Sequence, residues 1–198
     1  MPVYLPEEGY DKYANFYDKD TKNLDSIDQG FLSFVGRKLD GKKVLDVGCG
    51  TGRQTIRLFQ RGVKIEGFDI SEEMLNVLKK KCPQIPVKKG AAKYIAYDDE
   101  SFEGVVCNFL FVHLKNPVPI LEEIYRVLKN DGEFFISIVH QRKTPILKNK
   151  EEKFRVKSFF YSARKVRKFL EEQAFQILHE EWVEENDIHI ASLFRCRK

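Results

Sequence analysis

Three glycines at alternate positions follow directly on an apolar run in the stretch Val44-Leu45-Asp46-Val47-Gly48-Cys49-Gly50-Thr51-Gly52. A strand that ends in such a loop can bring its backbone N–H groups close to a ligand, because a Cβ would block both the turn and the approach. The helix expected after the loop offers its positive end to an anionic group. The spacing is G-x-G-x-G, not the G-x-G-x-x-G of nicotinamide-dinucleotide sites, and this weighs against an NAD-dependent oxidoreductase. Asp46 lies two residues before the first glycine. A carboxylate there is a poor neighbour for a pyrophosphate and a good one for a cationic amino group. Asp69 ends a second apolar run, 21 residues beyond Gly48. From that place a carboxylate can accept hydrogen bonds from both hydroxyls of a ribose.

The combination suits a nucleoside that carries an ammonium and a carboxylate, such as S-adenosylmethionine (SAM). Methyl transfer from an activated donor asks mainly for alignment and exclusion of water. A base is needed only where the acceptor atom is protonated at neutral pH. His113, just past the fourth strand, is the candidate base, and His140, at the end of the fifth, faces the same rim. His179 and His189 fall on the last strands, away from it. Tyr4, Tyr10, Tyr13 and Tyr17 are expected either to ring the methyl site or to pack an N-terminal lid. Asn108-Phe109-Leu110-Phe111 lacks the N-P-P-Y pattern of nucleobase and glutamine amino methylation.

Alternating strands and helices must position these groups. VLDV, VKIEGFDI, IPVKKG, FEGVVCNFLFV and EFFISIVH read as strands, and RQTIRLFQRG, SEEMLNVLKKK and VPILEEIYRVLK as helices between them. Ser71 is the expected N-cap of the second of these, with Glu72 and Glu73 at its positive end. Gly62, Pro83 and Asn130-Asp131-Gly132 are the expected terminators. DKYANFYDKD and LDSIDQGFLSFVGRKL are helical ahead of the first strand, SARKVRKFLEEQ is a late helix, and the chain closes on two strands. The fold class expected is α/β, a Rossmann-like doubly wound, mostly parallel seven-stranded sheet with an antiparallel C-terminal edge hairpin.

On these motifs the sequence resembles the class I SAM-dependent methyltransferases, in particular the methyltransferase type 11 group. VLDVGCGTG resembles their first motif and FDIS with Met74-Leu75 their second. LEEIYRVLKNDGEFFIS, Gln173-Ala174-Phe175 and the leading Tyr10-Asp11, Ala14 and Tyr17-Asp18 also match family features. The resemblance implies that Asp46, Gly48, Gly50 and Gly52 hold the methionine part of SAM. It implies Asp69 on the ribose, Ile70 and Met74 against the adenosine, Asn108 at the end of the fourth strand, and Tyr17 over the sulfonium. The acid that the group usually carries near the adenine is missing from Gly90-Ala91-Ala92, which leaves only backbone groups of Ala91 or Ala92 for that contact. The implied product is S-adenosylhomocysteine.

The chain has 198 residues and a net charge of +4, which suits one domain: a helical lid over 1–40, a SAM-binding core over 41–140, and an acceptor-site segment with the last helix and hairpin over 141–198. Between Arg142 and Lys168 eleven Lys and Arg stand against two Glu, so this segment carries +9 and the remainder −5. With Phe154, Phe159, Phe160 and Tyr161 it is basic and aromatic, a composition that serves an anionic small molecule or the phosphates and bases of RNA, tRNA included. No appended RNA-binding domain accompanies it, which favours a small-molecule acceptor. A SAM-binding module without catalysis is the reading from another class. No basic leader and no apolar run near the roughly 20 residues of a membrane span occur. The expectation is therefore a cytoplasmic enzyme with no membrane or metal partner, and four reduced cysteines, Cys49, Cys82, Cys107 and Cys196.

Overall fold

The computed structural model describes residues 1–21 and 24–198. Its main sheet has seven strands. Those with parallel neighbours are β2 (Lys43–Val47), β3 (Lys64–Asp69), β4 (Val87–Lys89), β5 (Phe102–Asn108) and β6 (Leu128–Val139). β9 (Gln176–Glu185) and β10 (Ile188–Arg197) close one edge antiparallel, in the order β4-β3-β2-β5-β6-β10-β9. The order reverses between β2 and β5, so the carboxyl ends of β2, β3 and β5 converge on one crevice.

Both faces of the sheet are covered, which explains why β2, β5 and β6 read as continuous apolar runs. Successive side chains alternate between two cores. Leu45, Val105 and Phe134 face α5 (Val118–Val127) and α6 (Ala163–Glu172). Val44, Val106 and Phe135 face α2 (Asp25–Val35) and Leu58 of α3 (Arg53–Gln60). α4 (Glu72–Lys81) packs beside α3 through Leu75 and Leu78. Ser71 caps α4 as expected, its Oγ accepting the Met74 N–H at 3.2 Å.

Two expectations change. The helix α5 stops at Val127, not at Lys129, and Asn130-Asp131-Gly132 lie inside β6. There the pairing with β5 slips between Phe102 and Gly104. Asp131 takes φ +60°, so the turn chemistry of this triplet bulges a strand and does not end a helix. The span 1–40 is not all lid. Phe31, Phe34 and Val35 of α2 are buried on the main sheet, while α1 (Pro6–Asp20) lies over the crevice. Part of the basic segment is strand. β7 (Leu147–Lys148) and β8 (Lys153–Val156) form a second sheet with the N-terminal strand β1 (Val3–Tyr4), in the order β1-β8-β7. A pattern of two to four residues per strand is too short to register as periodicity.

This small sheet and α1 form a lid with its own apolar centre, Tyr13, Phe154 and Val156. Gly9 of α1 is set against Val156 so closely that a Cβ would come 2.5 Å from its Cγ2. Alanine in a helix interior gains about 1 kcal/mol over glycine, but overpacking against a stiff β-branched side chain costs typically 1–3 kcal/mol. Gly9→Ala is therefore expected to loosen the lid, read as faster limited proteolysis within 142–157 with the main unfolding transition little changed. Adding Val156→Ala should restore resistance, and a G9A protein as resistant as the parent would contradict the close packing.

Candidate functional site

The glycine loop leaves β2 with Gly48, Gly50 and Gly52 at φ +79°, +54° and +83°. Their neighbours explain the three glycines differently. Apart from its chain neighbours, a Cβ on Gly50 would meet no atom of the described residues within 4 Å and would project into open space at the crevice. A Cβ on Gly52 would strike Leu78 Cδ1 at 2.3 Å, so Gly52 serves the packing of α3 on α4 and does not border the ligand crevice.

Asp69 at the end of β3 holds the loop in place. Its Oδ2 accepts the Gly50 N–H at 2.8 Å and its Oδ1 the Ser71 N–H at 2.9 Å. Burial raises its pKa, and the hydrogen bonds from Ser71 and Gly50 act against the rise. Ser71 donates in turn to Asp11 Oδ1 of α1 at 2.6 Å, and Thr51 donates to Asp18 Oδ1 at 2.6 Å. Tyr10 and Tyr17, and likewise Asp11 and Asp18, are two helical turns apart. The tyrosines thus enter the crevice while the aspartates latch α1 to the loop and to α4.

The crevice has three joined compartments. The first is bordered by Asp69, Ile70, Met74, Gly50 and Asn108. The second is bordered by Asp46, Gly48, Gly50, Gln54 and Asn108. The third, a chamber under the lid, is bordered by Tyr13, Val112, His113, Val139, Leu147 and Val156. Tyr17 and Phe109 border all three. Phe109 reaches this junction from a left-handed backbone, φ +58°, directly after β5. That is a strained conformation of the kind that collects at ligand sites. Nothing in residue spacing announces it, nor the buried Asp28 that binds Gln54 Nε2 (2.7 Å) and Arg53 beside the second compartment.

Several polar groups lack protein partners here. Among the described residues, Asn108 is buried with no partner for either Nδ2 or Oδ1, and Gln54 Oε1 is likewise without one. Leaving such groups unpaired costs about 1–3 kcal/mol each, so they await a ligand with both donors and acceptors. Asp46 is buried, with Thr55 Oγ1 donating to its Oδ2 at 2.7 Å. Burial pushes its pKa up to about 7 against the pull of that hydrogen bond. It is poised to ionise fully only when a cation arrives.

Other expected residues lie elsewhere. Ala91 and Ala92 follow β4 without bordering any of the three compartments, and Ala92 packs on the core. Tyr4 is turned to Glu152, its hydroxyl donating to Oε1 at 2.8 Å. His140 is corrected from the rim to the β10 side: Nε2 lies 2.9 Å from Ser192 Oγ and Nδ1 3.2 Å from the His189 carbonyl. Burial lifts the Cys49 thiol well above its ordinary pKa, consistent with an inert thiol. His113 does border the chamber, but its ring is already engaged. Nδ1 is 3.1 Å from the Lys157 carbonyl, which can only accept, so Nδ1 carries the hydrogen. Nε2 is then free to accept the Tyr10 hydroxyl at 2.7 Å. Burial lowers the pKa of His113 and raises that of Tyr10, which keeps both neutral.

Residues 45–136 match the profile of a family described as Methyltransferase domain. An uncharacterized protein of Methanocaldococcus jannaschii is 30% identical, over 87% of this chain and 77% of its own. The chain belongs to the class I SAM-dependent methyltransferases. The demethylmenaquinone methyltransferase of Lactobacillus johnsonii is 32% identical to this methyltransferase over 70% of the chain and 59% of that enzyme. Among solved structures, magnesium protoporphyrin IX methyltransferase from Synechocystis, with bound S-adenosylhomocysteine, shares the fold at TM-score 0.69 and 16% identity, covering 96% of this chain and 94% of that one. The cofactor of the methyltransferase is SAM, and the unpartnered amide of Asn108, the free Gln54 Oε1 and the open space over Gly50 fit its polar groups.

The high pKa of Asp46 has a consequence for the ligand-free methyltransferase. Folding favours the protonated acid, so this contribution to stability is intact below about pH 4 and is lost as pH rises through about 7. A tenfold change in an ionisation constant is worth about 1.4 kcal/mol. Asp46→Asn is expected to raise Tm at pH 8 relative to pH 5, by roughly 5–10 °C more than any common change. Differential scanning fluorimetry at both pH values checks it, and an equal effect at each would mean that Asp46 is already ionised.

Proposed function

We propose that this methyltransferase methylates a hydroxyl of a small, largely apolar acceptor held in the chamber beneath the lid. The observation that carries the reading is the junction at Tyr17 and Phe109, where the two cofactor compartments open into a chamber bordered largely by apolar and aromatic side chains. The relative named for demethylmenaquinone is in keeping with an apolar acceptor.

The roles follow from the compartments. Asp46 and Gln54 Oε1 receive the ammonium of SAM, and the loop N–H groups its carboxylate. Asp69 accepts from the ribose, with Ile70 and Met74 flanking the adenosine and Asn108 supplying a donor and an acceptor where the compartments meet. SAM supplies a methyl group activated by positive sulfur, with a neutral thioether as leaving group. Tyr17 and Phe109 exclude water from the junction and orient the acceptor. The Tyr10 hydroxyl, which borders both the chamber and the adenosine compartment, donates to His113 Nε2 and keeps its lone pairs for the acceptor hydroxyl. As the acceptor oxygen takes the methyl carbon, its proton passes to Tyr10 while the Tyr10 proton passes to Nε2. His113 leaves as imidazolium and returns the proton to solvent. The carbonyl of Lys157 holds the tautomer that this exchange requires.

The arrangement of the basic segment argues against RNA. Phe154 is buried and Tyr161 is packed on Phe169, so two of the aromatics suited to stacking on bases are turned inward.

Incubation with methyl-labelled SAM and a host lysate, followed by separation of small molecules, RNA and protein, is expected to label the small-molecule fraction. Label confined to RNA would overturn the acceptor class. Asp69→Ala should weaken SAM binding by calorimetry roughly 10-fold or more, through lost ribose bonds and a loosened loop; unchanged affinity would remove Asp69 from the site. Tyr10→Phe and His113→Gln should each lower turnover about 10²–10⁴-fold while sparing SAM affinity. The double variant should be no worse than either single one. Full turnover in Y10F would show that His113 acts without the tyrosine, or not at all.

A further inference from the structure

We propose that the outer face of the lid sheet is a docking surface for an anionic lipid bilayer. The three strands have two unlike faces. Tyr4, Leu147, Phe154 and Val156 point inward, Tyr4 packing on Phe154 while Leu147 and Val156 border the acceptor chamber. The alternate residues point out. Lys153 and Arg155 of β8 are exposed between their neighbours, with Lys148 of β7 opposite Lys153 and Val3 of β1 opposite Arg155. Met1, Leu5 and Ile146 continue the same alternation at the strand ends. Of the eight large hydrophobic residues that stand exposed among the described residues, these four aliphatics, Met1, Val3, Leu5 and Ile146, are 54–62% accessible and lie in or next to the strands of this one small sheet.

The cations between them are uncompensated. Among the described residues no carboxylate lies within 4.0 Å of the charged group of Lys148, Lys153, Arg155 or Lys157. Of the nearby acids, Glu152 is engaged by Tyr4 and Lys12, and Glu7 by Lys89. Glu8 and Glu151 are exposed, one on the first turn of α1 and the other in the β7–β8 turn.

Cations interleaved with aliphatic side chains on one flat face match the chemistry of a bilayer surface, where lysine and arginine meet lipid phosphates and aliphatic groups enter the headgroup boundary. A nucleic acid would be met with aromatic platforms, and the aromatics of this sheet face the other way. The absence of a helix able to span a bilayer among the described residues does not bear on such surface contact. Because the inner face of the same strands roofs the chamber, docking would set the chamber against the membrane, where an apolar acceptor is dissolved.

The test is co-sedimentation of the full chain with phosphatidylcholine vesicles and with vesicles that also contain phosphatidylglycerol, at low and at physiological salt. Binding is expected to the acidic vesicles only, and to weaken with salt. The combined variant K148Q/K153Q/R155Q should lose on the order of 100-fold in partitioning with Tm unchanged. V3S/L5S/I146S should weaken vesicle binding while leaving the affinity for a single-stranded RNA oligonucleotide unaltered. Absence of sedimentation with acidic vesicles at low salt would overturn the proposal. So would binding that survives K148Q/K153Q/R155Q, or an RNA affinity that exceeds vesicle binding and depends on the same three cations. The measurement reads no methyl transfer, so its failure is separate from a failure of the acceptor assignment.

Discussion

One carboxylate joins the parts of this molecule that must meet a ligand. Asp69 takes the Gly50 N–H on one oxygen and the Ser71 N–H on the other, so the end of β3 fixes both the glycine loop and the start of α4. Ser71 passes the constraint to the lid through Asp11. Four segments, the lid helix α1, the glycine loop, β3 and the start of α4, are therefore held by three short hydrogen bonds. Within a buried site these charge-assisted bonds are stronger than neutral ones.

The lid includes a second sheet, and this changes what a strongly basic segment means. Alternation along β8 sorts its residues into two populations: Phe154 and Val156 bury themselves over α1, and Lys153 and Arg155 face out. The same few residues thus supply an apolar roof to the chamber and a cationic exterior. A charge total over the segment cannot separate the two, because it counts side chains without their direction.

Burial decides the chemistry of the titratable groups. Asp46 reaches a pKa of about 7 because its pocket withholds water and Thr55 supplies only one hydrogen bond. His113 and Tyr10 are both kept neutral by burial, and the carbonyl of Lys157 selects the tautomer. A histidine that looked like a base acting alone is one half of a hydrogen-bonded pair.

The sequence by itself determined the doubly wound sheet, the glycine loop with its two strand-end aspartates, and the family to which they point. These are local facts: apolar runs of strand length, glycines where left-handed backbone is needed, and Ser71 where a helix must be capped. Residues matched to the loop motif were legible as a set, but Gly52 turned out to serve α4, and Ala91 and Ala92 stand apart from the crevice, because a motif records spacing and not direction. Only the tertiary structure decided that Tyr10 rather than Tyr4 meets His113, that His140 turns to Ser192, that Phe109 stands at the junction of three compartments, and that β1 pairs with β8 across 152 residues. Each of these depends on contacts between residues remote in the chain, whose partners are set by packing and leave no periodic trace in the sequence.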